Sequence, residues 1–172
     1  GAVAVFHSQA MLDYREGKHK AALDSVQKIL RELPDHMPSV LLAGAIQSAL
    51  GATRQAEQQL QKFLESYPRH LYASKLMSAL HLRNNAPDDA LALLRPLMLA
   101  HPDDVELLAL AGEANLRGRH FTQAAEFFER AAILRPAAPG IHTGLALSRL
   151  GNGDNGRAVA ELERAASMDN AD

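Results

Sequence analysis

The chain has 172 residues, of which 47% are hydrophobic, 5% aromatic and 22% charged, with no cysteine, no tryptophan and a formal net charge of −2. The near-neutral charge excludes the basic surface that binding to a nucleic-acid backbone requires, and the absence of cysteine excludes disulfides, thiolate nucleophiles and cysteine-bound zinc. Alanine and leucine dominate the apolar residues, which favours closely packed helices over sheets. The composition therefore predicts an all-α protein that does not bind nucleic acid.

Proline and alanine recur along the chain with a period of 34 residues. The recurring positions are Pro34, Pro68, Pro102 and Pro136 for proline, and Ala22, Ala56, Ala90, Ala124 and Ala158 for alanine. Each period holds two apolar stretches at helical spacing, separated by short polar or glycine-bearing breaks at residues 18–20, 51–53, 84–88, 117–120 and 151–156. Each period therefore predicts a helix, a turn and a second helix.

Proline and aspartate indicate where these helices begin and end. The four periodic prolines are expected to close the second helices, because proline cannot continue a helix. Asp103 and Asp104, and likewise Asp88 and Asp89, are expected to cap free N–H groups at the start of the next helix. Pro96 differs because it falls inside a predicted helix, where it removes one backbone hydrogen bond and is expected to cause a kink.

These features resemble the tetratricopeptide repeat (TPR) family. Small residues that match the first helix of the family are Gly44, Gly112 and Ala146, with Ala10 and Ser78 as weaker matches. The repeats run 3–36, 37–70, 71–104, 105–138 and 139–172, and Asn170 stands where a fifth proline would be. The resemblance implies one array over 1–172, an all-α, right-handed α-solenoid of five TPR helix-turn-helix units with about ten antiparallel helices.

A narrower resemblance rests on three groups of residues. They are 41–45 with 49–51 and 55–58, then 88–90 with 94–96, and finally 112–114 with 121 and 124–126. At these positions the chain is similar to the TPR-repeat lipoprotein of bacterial PEP-CTERM/exosortase systems, a family associated with exopolysaccharide export and protein sorting at the cell envelope. The resemblance implies a periplasmic or outer-membrane-anchored location. A cytoplasmic location stays open, because no targeting signal is visible.

In the TPR family the first helix of each repeat lines a concave groove, which implies a binding surface for a protein or peptide. The implied groove residues are Arg15, Leu41, Ala45, Lys75, Leu82, Arg83, Glu113, Leu116, Arg117 and Leu147. Arg15, Arg83 and Arg117 share one repeat position, where they either present donors to ligand carboxylates or only offset the helix dipole. We expect a non-catalytic scaffold that binds a partner polypeptide. The alternative is an architectural or regulatory spacer without a peptide ligand.

Other chemistry is suggested by a few motifs, each with a simpler explanation. Residues 151–156 satisfy G-x-G-x-x-G, but a predicted helix precedes them where dinucleotide binding needs a strand. The eight histidines form no H-E-x-x-H motif and no pair at i, i+4 spacing. The acidic residues Glu126, Glu129, Glu161 and Glu163 lie on second helices, which the family places outside. We therefore expect no catalytic residues, no metal site and no cofactor.

Apolar residues near both ends predict self-association. Val3, Val5 and Phe6 lie near the start, and Val159 and Leu162 lie in the last helix, with no further repeat to cover them. We therefore expect the chain to be a segment of a longer array whose uncapped ends contact a neighbouring molecule. No apolar stretch is long enough to cross a membrane, so direct membrane insertion by this segment is not expected.

Overall fold

The computed structural model describes residues 1–169, and its secondary structure over that range is helical, without strands. The helices are α1 Ala2–Arg15, α2 His19–Glu32, α3 Met37–Ala49, α4 Thr53–Ser66, α5 Leu71–Arg83, α6 Pro87–Ala100, α7 Val105–Arg117, α8 Phe121–Leu134, α9 Pro139–Gly151 and α10 Asn155–Asp169. Two helices fall in each predicted repeat, which confirms the prediction of an all-α solenoid of paired helices. Asn170, the place of the expected fifth proline, lies outside the described residues.

The chain forms two compact units, Gly1–Leu80 and His81–Asp172. In the first unit α1 packs against α2, α2 against α3, and α3 against α4. In the second unit α6 packs against α7, and the same sequential packing continues through α8 and α9 to α10. Each unit is therefore built by stacking helices on their neighbours in sequence, as expected of a repeat protein.

The periodic alanines lie in the buried contacts of the helices. Ala22, Ala56, Ala90, Ala124 and Ala158 are all 0% exposed. Glycine permits close side-chain contacts on α3 and α7. A Cβ added at Gly44 would lie 2.9 Å from the Leu60 side chain, and one added at Gly112 would lie 2.9 Å from the Phe128 ring. Small residues thus permit spacings between helices that larger side chains would prevent.

The turns inside the repeats share one backbone conformation. A residue with positive φ recurs every 34 residues, at Gly17, Gly51, Asn85, Arg119 and Gly153. The next N–H then donates to a carbonyl five residues earlier, as from His120 to Asn115 at 2.8 Å, which is the Schellman arrangement at a helix end. A side chain in this region costs roughly 1–2 kcal/mol. Arg119 therefore occupies a position at which glycine is the less strained residue.

Aspartate and proline affect the helix ends as follows. Asp104 caps α7 by accepting a hydrogen bond from the N–H of Leu107 at 3.0 Å, as predicted. Asp88 and Asp89 lie in the first turn of α6. This helix continues through Pro96 to its end, so the internal proline does not terminate it.

Candidate functional site

A pocket of about 350 Å³ lies in the first compact unit between α1, α3 and α5. Its lining residues are His7, Met11, Tyr14, Arg15, Pro38, Leu41, Leu42, Ala45 and Tyr72. Arg15, Leu41 and Ala45 were predicted as groove residues, and the structure brings these three together. Most of the lining is apolar or aromatic, and Arg15 adds a formal positive charge.

Tyrosine, histidine and serine side chains supply further polar groups in or beside this pocket. Burial raises the pKa of Tyr72 to about 12, and its hydrogen bond with Tyr14 acts in the same direction. Ser39 Oγ lies 3.2 Å from Nδ1 of His7 and 2.8 Å from Nδ1 of His36. Burial lowers the pKa of His7, and the nearby His36 lowers it further. The lowered pKa of His7 and the raised pKa of Tyr72 both favour the uncharged forms of these two side chains beside the apolar wall.

The second compact unit has a larger pocket, of about 650 Å³, between α7 and α9. The residues that line it are Glu106, Ala109, Leu110, Glu113, Leu116, Arg117, Phe128, Gly140, Ile141, Thr143, Gly144 and Leu147. Four predicted groove residues are among them, and Leu147 is 46% exposed. A Cβ added at Gly140 would meet nothing within 4 Å, so this glycine leaves the pocket open to a ligand backbone. The pocket is thus an accessible and largely apolar cavity.

One of the predicted arginines is paired within its own helix. Arg117 donates from Nε and Nη2 to Oε1 of Glu113, at 3.0 and 2.8 Å. Both side chains are substantially exposed, and pairs of this kind contribute only about 0.3–0.5 kcal/mol. A ligand carboxylate can therefore replace Glu113 as the partner of Arg117 at small cost.

The three remaining predicted groove residues do not line either pocket. Lys75 is half-buried and Arg83 is exposed. Leu82 is 2% exposed, so the structure places it among the core residues, with almost no surface for a ligand. The same repeat position is 41% exposed at Leu150, which shows that repeat position alone does not determine exposure.

Residues 75–139 match the family model described as tetratricopeptide repeat, and this segment lies in phase with the 34-residue period of the whole chain. This match and the paired-helix fold support the TPR family. No curated protein matches it significantly. None of the similarities found indicates a catalytic family.

Solved structures of MamA share this TPR fold. MamA from Desulfovibrio magneticus RS-1 superposes with a TM-score of 0.89 at 20% identity, over 99% of this chain and 97% of that one. A MamA RS-1 double mutant superposes with a TM-score of 0.88 at 20% identity, over 99% of this chain and 96% of that one. MamA MSR-1 superposes with a TM-score of 0.84 at 18% identity, over 98% of this chain and 97% of that one. At these identities the comparison establishes the fold.

Charged residues of α8, α9 and α10 form an ion cluster, which we define as Glu129, His142, Arg149 and Glu161; His142 and Glu161 are buried, and Glu129 is exposed. Glu161 accepts from Nη1 of Arg149 at 2.8 Å, and its Oε2 lies 2.6 Å from Nδ1 of His142. Arg149 also donates from Nη2 to Glu129 at 3.1 Å. The cluster therefore joins α8, α9 and α10.

Glu161 corrects one of the sequence predictions. It was expected on the outer face of its helix, but it is 6% exposed. Burial raises the pKa of Glu161. Hydrogen bonds with His142 and Arg149 and the charge of Arg164 lower this pKa by more, so the pKa is lowered overall. Nε2 of His142 lies 2.8 Å from the Pro136 carbonyl, so both ring nitrogens face acceptor oxygens. Glu161 is held as a buried carboxylate with cationic partners.

Within residues 1–169, no three side chains of His, Cys, Asp or Glu come together in a geometry suited to a metal ion. No helix in that range has the length and apolar character needed to cross a membrane.

Proposed function

We propose that the chain is a non-catalytic scaffold that binds partner polypeptides through the two pockets on its first helices. The observation that carries this proposal is the 650 Å³ pocket between α7 and α9. Its wall is largely apolar, and Leu147 remains 46% exposed beside it. An accessible apolar cavity with a few polar groups is the usual form of a binding site, since burying its surface against a ligand is favourable.

The pocket suits a peptide with an apolar anchor side chain. Gly140 allows the ligand backbone to approach α9, while Leu116 and Leu147 provide apolar contact. The Glu113–Arg117 pair at the pocket offers one acceptor and one donor group for the polar backbone. The pocket of the first unit, with Arg15 and neutral phenols, accommodates a second anchor.

The biological setting is also a proposal. We place the chain in a bacterial envelope system of the PEP-CTERM type, in the periplasm or anchored at the outer membrane, on the strength of the resemblance at residues 41–45 and 112–114. The alternative function is an architectural or regulatory spacer that binds no peptide, in the cytoplasm or the periplasm.

A displayed peptide library tests the scaffold proposal. We expect selection on the wild-type protein to enrich peptides with a recurring apolar residue, and Leu147→Asp to weaken binding of the selected peptides by about tenfold or more, because it charges the apolar wall. Binding is measured by calorimetry with synthetic peptides.

Leu99→Asp is the matched control for that experiment. Leu99 is 87% exposed on α6 and lines neither pocket, so this variant is expected to bind the selected peptides as the wild type does. Failure to enrich any peptide would favour the spacer alternative. Equal weakening by both variants would also count against the pocket.

We further propose that exposed apolar residues on the outermost described helices mediate self-association. Val5 and Leu12 on α1 are 68% and 50% exposed, and Val159 and Leu162 on α10 are 51% and 40% exposed. Burying such surface between two molecules is favourable. We expect light scattering to show a mass that rises with concentration, and Val5→Lys with Val159→Lys to keep the protein monomeric. A wild-type protein that is monomeric at all concentrations would contradict this proposal.

A further inference from the structure

We call the 350 Å³ pocket between α1, α3 and α5 the groove pocket. A second cavity of the first compact unit lies on the other side of α3 from it. It measures about 240 Å³ and lies between α2, α3 and α4. Its lining residues are Leu23, Gln27, Leu30, Arg31, Ala43, Gln47 and Gln59, and we call it the glutamine notch. Because Ala45 lines the groove pocket whereas Ala43 and Gln47 line the notch, α3 separates two distinct cavities.

Gln47 places an unsatisfied polar group in the glutamine notch. Its side chain is 8% exposed, and its Oε1 is buried without a hydrogen-bond partner. An unpaired buried group of this kind is destabilising, because it has lost its hydrogen bonds to water without gaining others. Rotating the amide by 180° exchanges Oε1 for Nε2, and in that orientation the Gln47 amide presents an N–H donor to an acceptor at this place. The notch therefore contains a hydrogen-bonding position that the described protein does not fill.

The charge of the notch indicates what kind of partner fits. Arg31 is the formally charged residue among the lining residues, and no carboxylate lines the cavity. Its guanidinium presents planar donors that match a carboxylate, and the amides of Gln47 and Gln59 can add N–H donors. An anionic planar group would thus be neutralised and hydrogen-bonded at once.

The internal repeat gives an independent argument. Three 34-residue periods after Gln27, Gln47 and Gln59 come Glu129, Arg149 and Glu161. In that later notch Arg149 bridges the two carboxylates at 3.1 and 2.8 Å. The repeat geometry at these three positions therefore accommodates paired carboxylate and guanidinium groups. In the glutamine notch all three of these positions hold neutral amides, and a guanidinium is supplied from another repeat position by the exposed Arg31.

We propose that the glutamine notch is a second binding site, which takes a carboxylate of a partner polypeptide. Arg31 supplies the charge, and Gln47 and Gln59 supply amide donors. The carboxylate belongs either to an acidic side chain or to a chain terminus, which share the same chemistry. This site is separate from the groove pocket and does not depend on the proposed function of the groove.

Acetate is the probe for a first test. We expect an acetate titration followed by ¹⁵N NMR to give saturable shifts of the Arg31 Nε–H and of the Gln47 and Gln59 amide signals. Acetamide, which has the same shape without the charge, is expected to bind more weakly. Arg31→Gln should weaken acetate binding by about tenfold, because it removes the charge-assisted bonds. Arg69→Gln, at an exposed loop position of the same unit, should leave the binding unchanged.

A variant that fills the notch gives a second test. Gln27→Glu, Gln47→Arg and Gln59→Glu together reproduce the three charged residues of the later notch, and we expect this variant to keep its helical circular dichroism while losing the acetate-induced shifts. Acetate binding that survives in this folded variant, or that is unaffected by Arg31→Gln, would overturn the proposal. The absence of saturable shifts in the wild type would overturn it as well.

Two peptides then distinguish the sources of the carboxylate. One has a free C-terminal carboxylate and no acidic side chain, and the other is amidated and carries an internal aspartate. Arg31-dependent binding of the first identifies a chain terminus as the ligand, and Arg31-dependent binding of the second identifies an acidic side chain. Binding of neither peptide would contradict recognition of a partner polypeptide.

Discussion

Glu161→Gln is expected to lower the free energy of unfolding by about 3 kcal/mol, because removing one partner from a buried ion pair leaves the other charges uncompensated. Glu161 is 6% exposed and is hydrogen-bonded to two side chains of α9, His142 and Arg149. Its replacement leaves Arg149 paired with the exposed Glu129. Chemical denaturation of both proteins at neutral pH measures the difference.

The same substitution should alter the response to acid. The pKa of Glu161 is lowered in the folded protein, so its carboxylate contributes stability above its ordinary value of 4.5, and this contribution is lost as the pH falls through the lowered pKa. We therefore expect Glu161→Gln to lose less stability than the wild type on acidification. Glu163→Gln, an exposed position on the same helix, is the control and should change stability by less than about 0.5 kcal/mol. Equal effects of the two variants would show that the ion cluster is not stabilising.

Phe128→Ala should destabilise the second compact unit by about 3–5 kcal/mol, as expected for loss of a buried aromatic ring. Phe128 is 5% exposed and lies against two glycines, since a Cβ added at Gly112 or Gly144 would approach its ring to 2.9 or 2.5 Å. It therefore fills the space that these glycines leave on α7 and α9. Thermal and chemical unfolding measure the loss, with Ile133→Ala, which is 80% exposed, as the control.

A double-mutant cycle separates this packing from a general loss of helix stability. Gly144→Val alone is expected to cost about 1–3 kcal/mol, because the new side chain collides with the Phe128 ring. In the Phe128→Ala background the same valine enters vacated space and should cost less, or should stabilise. Additive effects would mean that Phe128 and Gly144 do not share the space that the structure shows.

The helix pairs could be predicted from the sequence because the small residues that permit close packing must recur with each repeat. Ala22 and Ala158 are four periods apart and both are completely buried. All five turns were predicted from polar or glycine-bearing breaks, but the left-handed conformation at Arg119 was not, since arginine carries no signal for a positive φ. In that turn the backbone conformation is indicated by the position within the 34-residue period, at which other repeats have glycine or asparagine, and not by the arginine itself.

The candidate site was predicted in part. Leu41 and Leu147 line pockets, as their repeat positions indicated, whereas Leu82 at another such position is buried. The repeat position of a residue predicts which side of its helix it lies on, but its exposure also depends on the size of the neighbouring side chains. The exposure is therefore known only from the three-dimensional packing.

Glu161 was missed because its partners are 19 and 12 residues away in the sequence. A carboxylate on an amphipathic helix ordinarily indicates the solvent face. The repeat position itself carried no signal, since it holds Ser25 and Gln59 in two other repeats and Leu93 and Phe127 in the remaining two.

The five buried alanines also affect how such a chain can change in length during evolution. Each contributes to packing that is made within a repeat or with its immediate neighbours. Duplication or loss of one whole 34-residue segment would bring every later alanine back to an equivalent contact. An insertion of a few residues within a helix would instead rotate the residues after it and turn the alanine out of its contact. The spacing of these alanines thus makes whole repeats the natural step by which the number of binding pockets can grow or shrink.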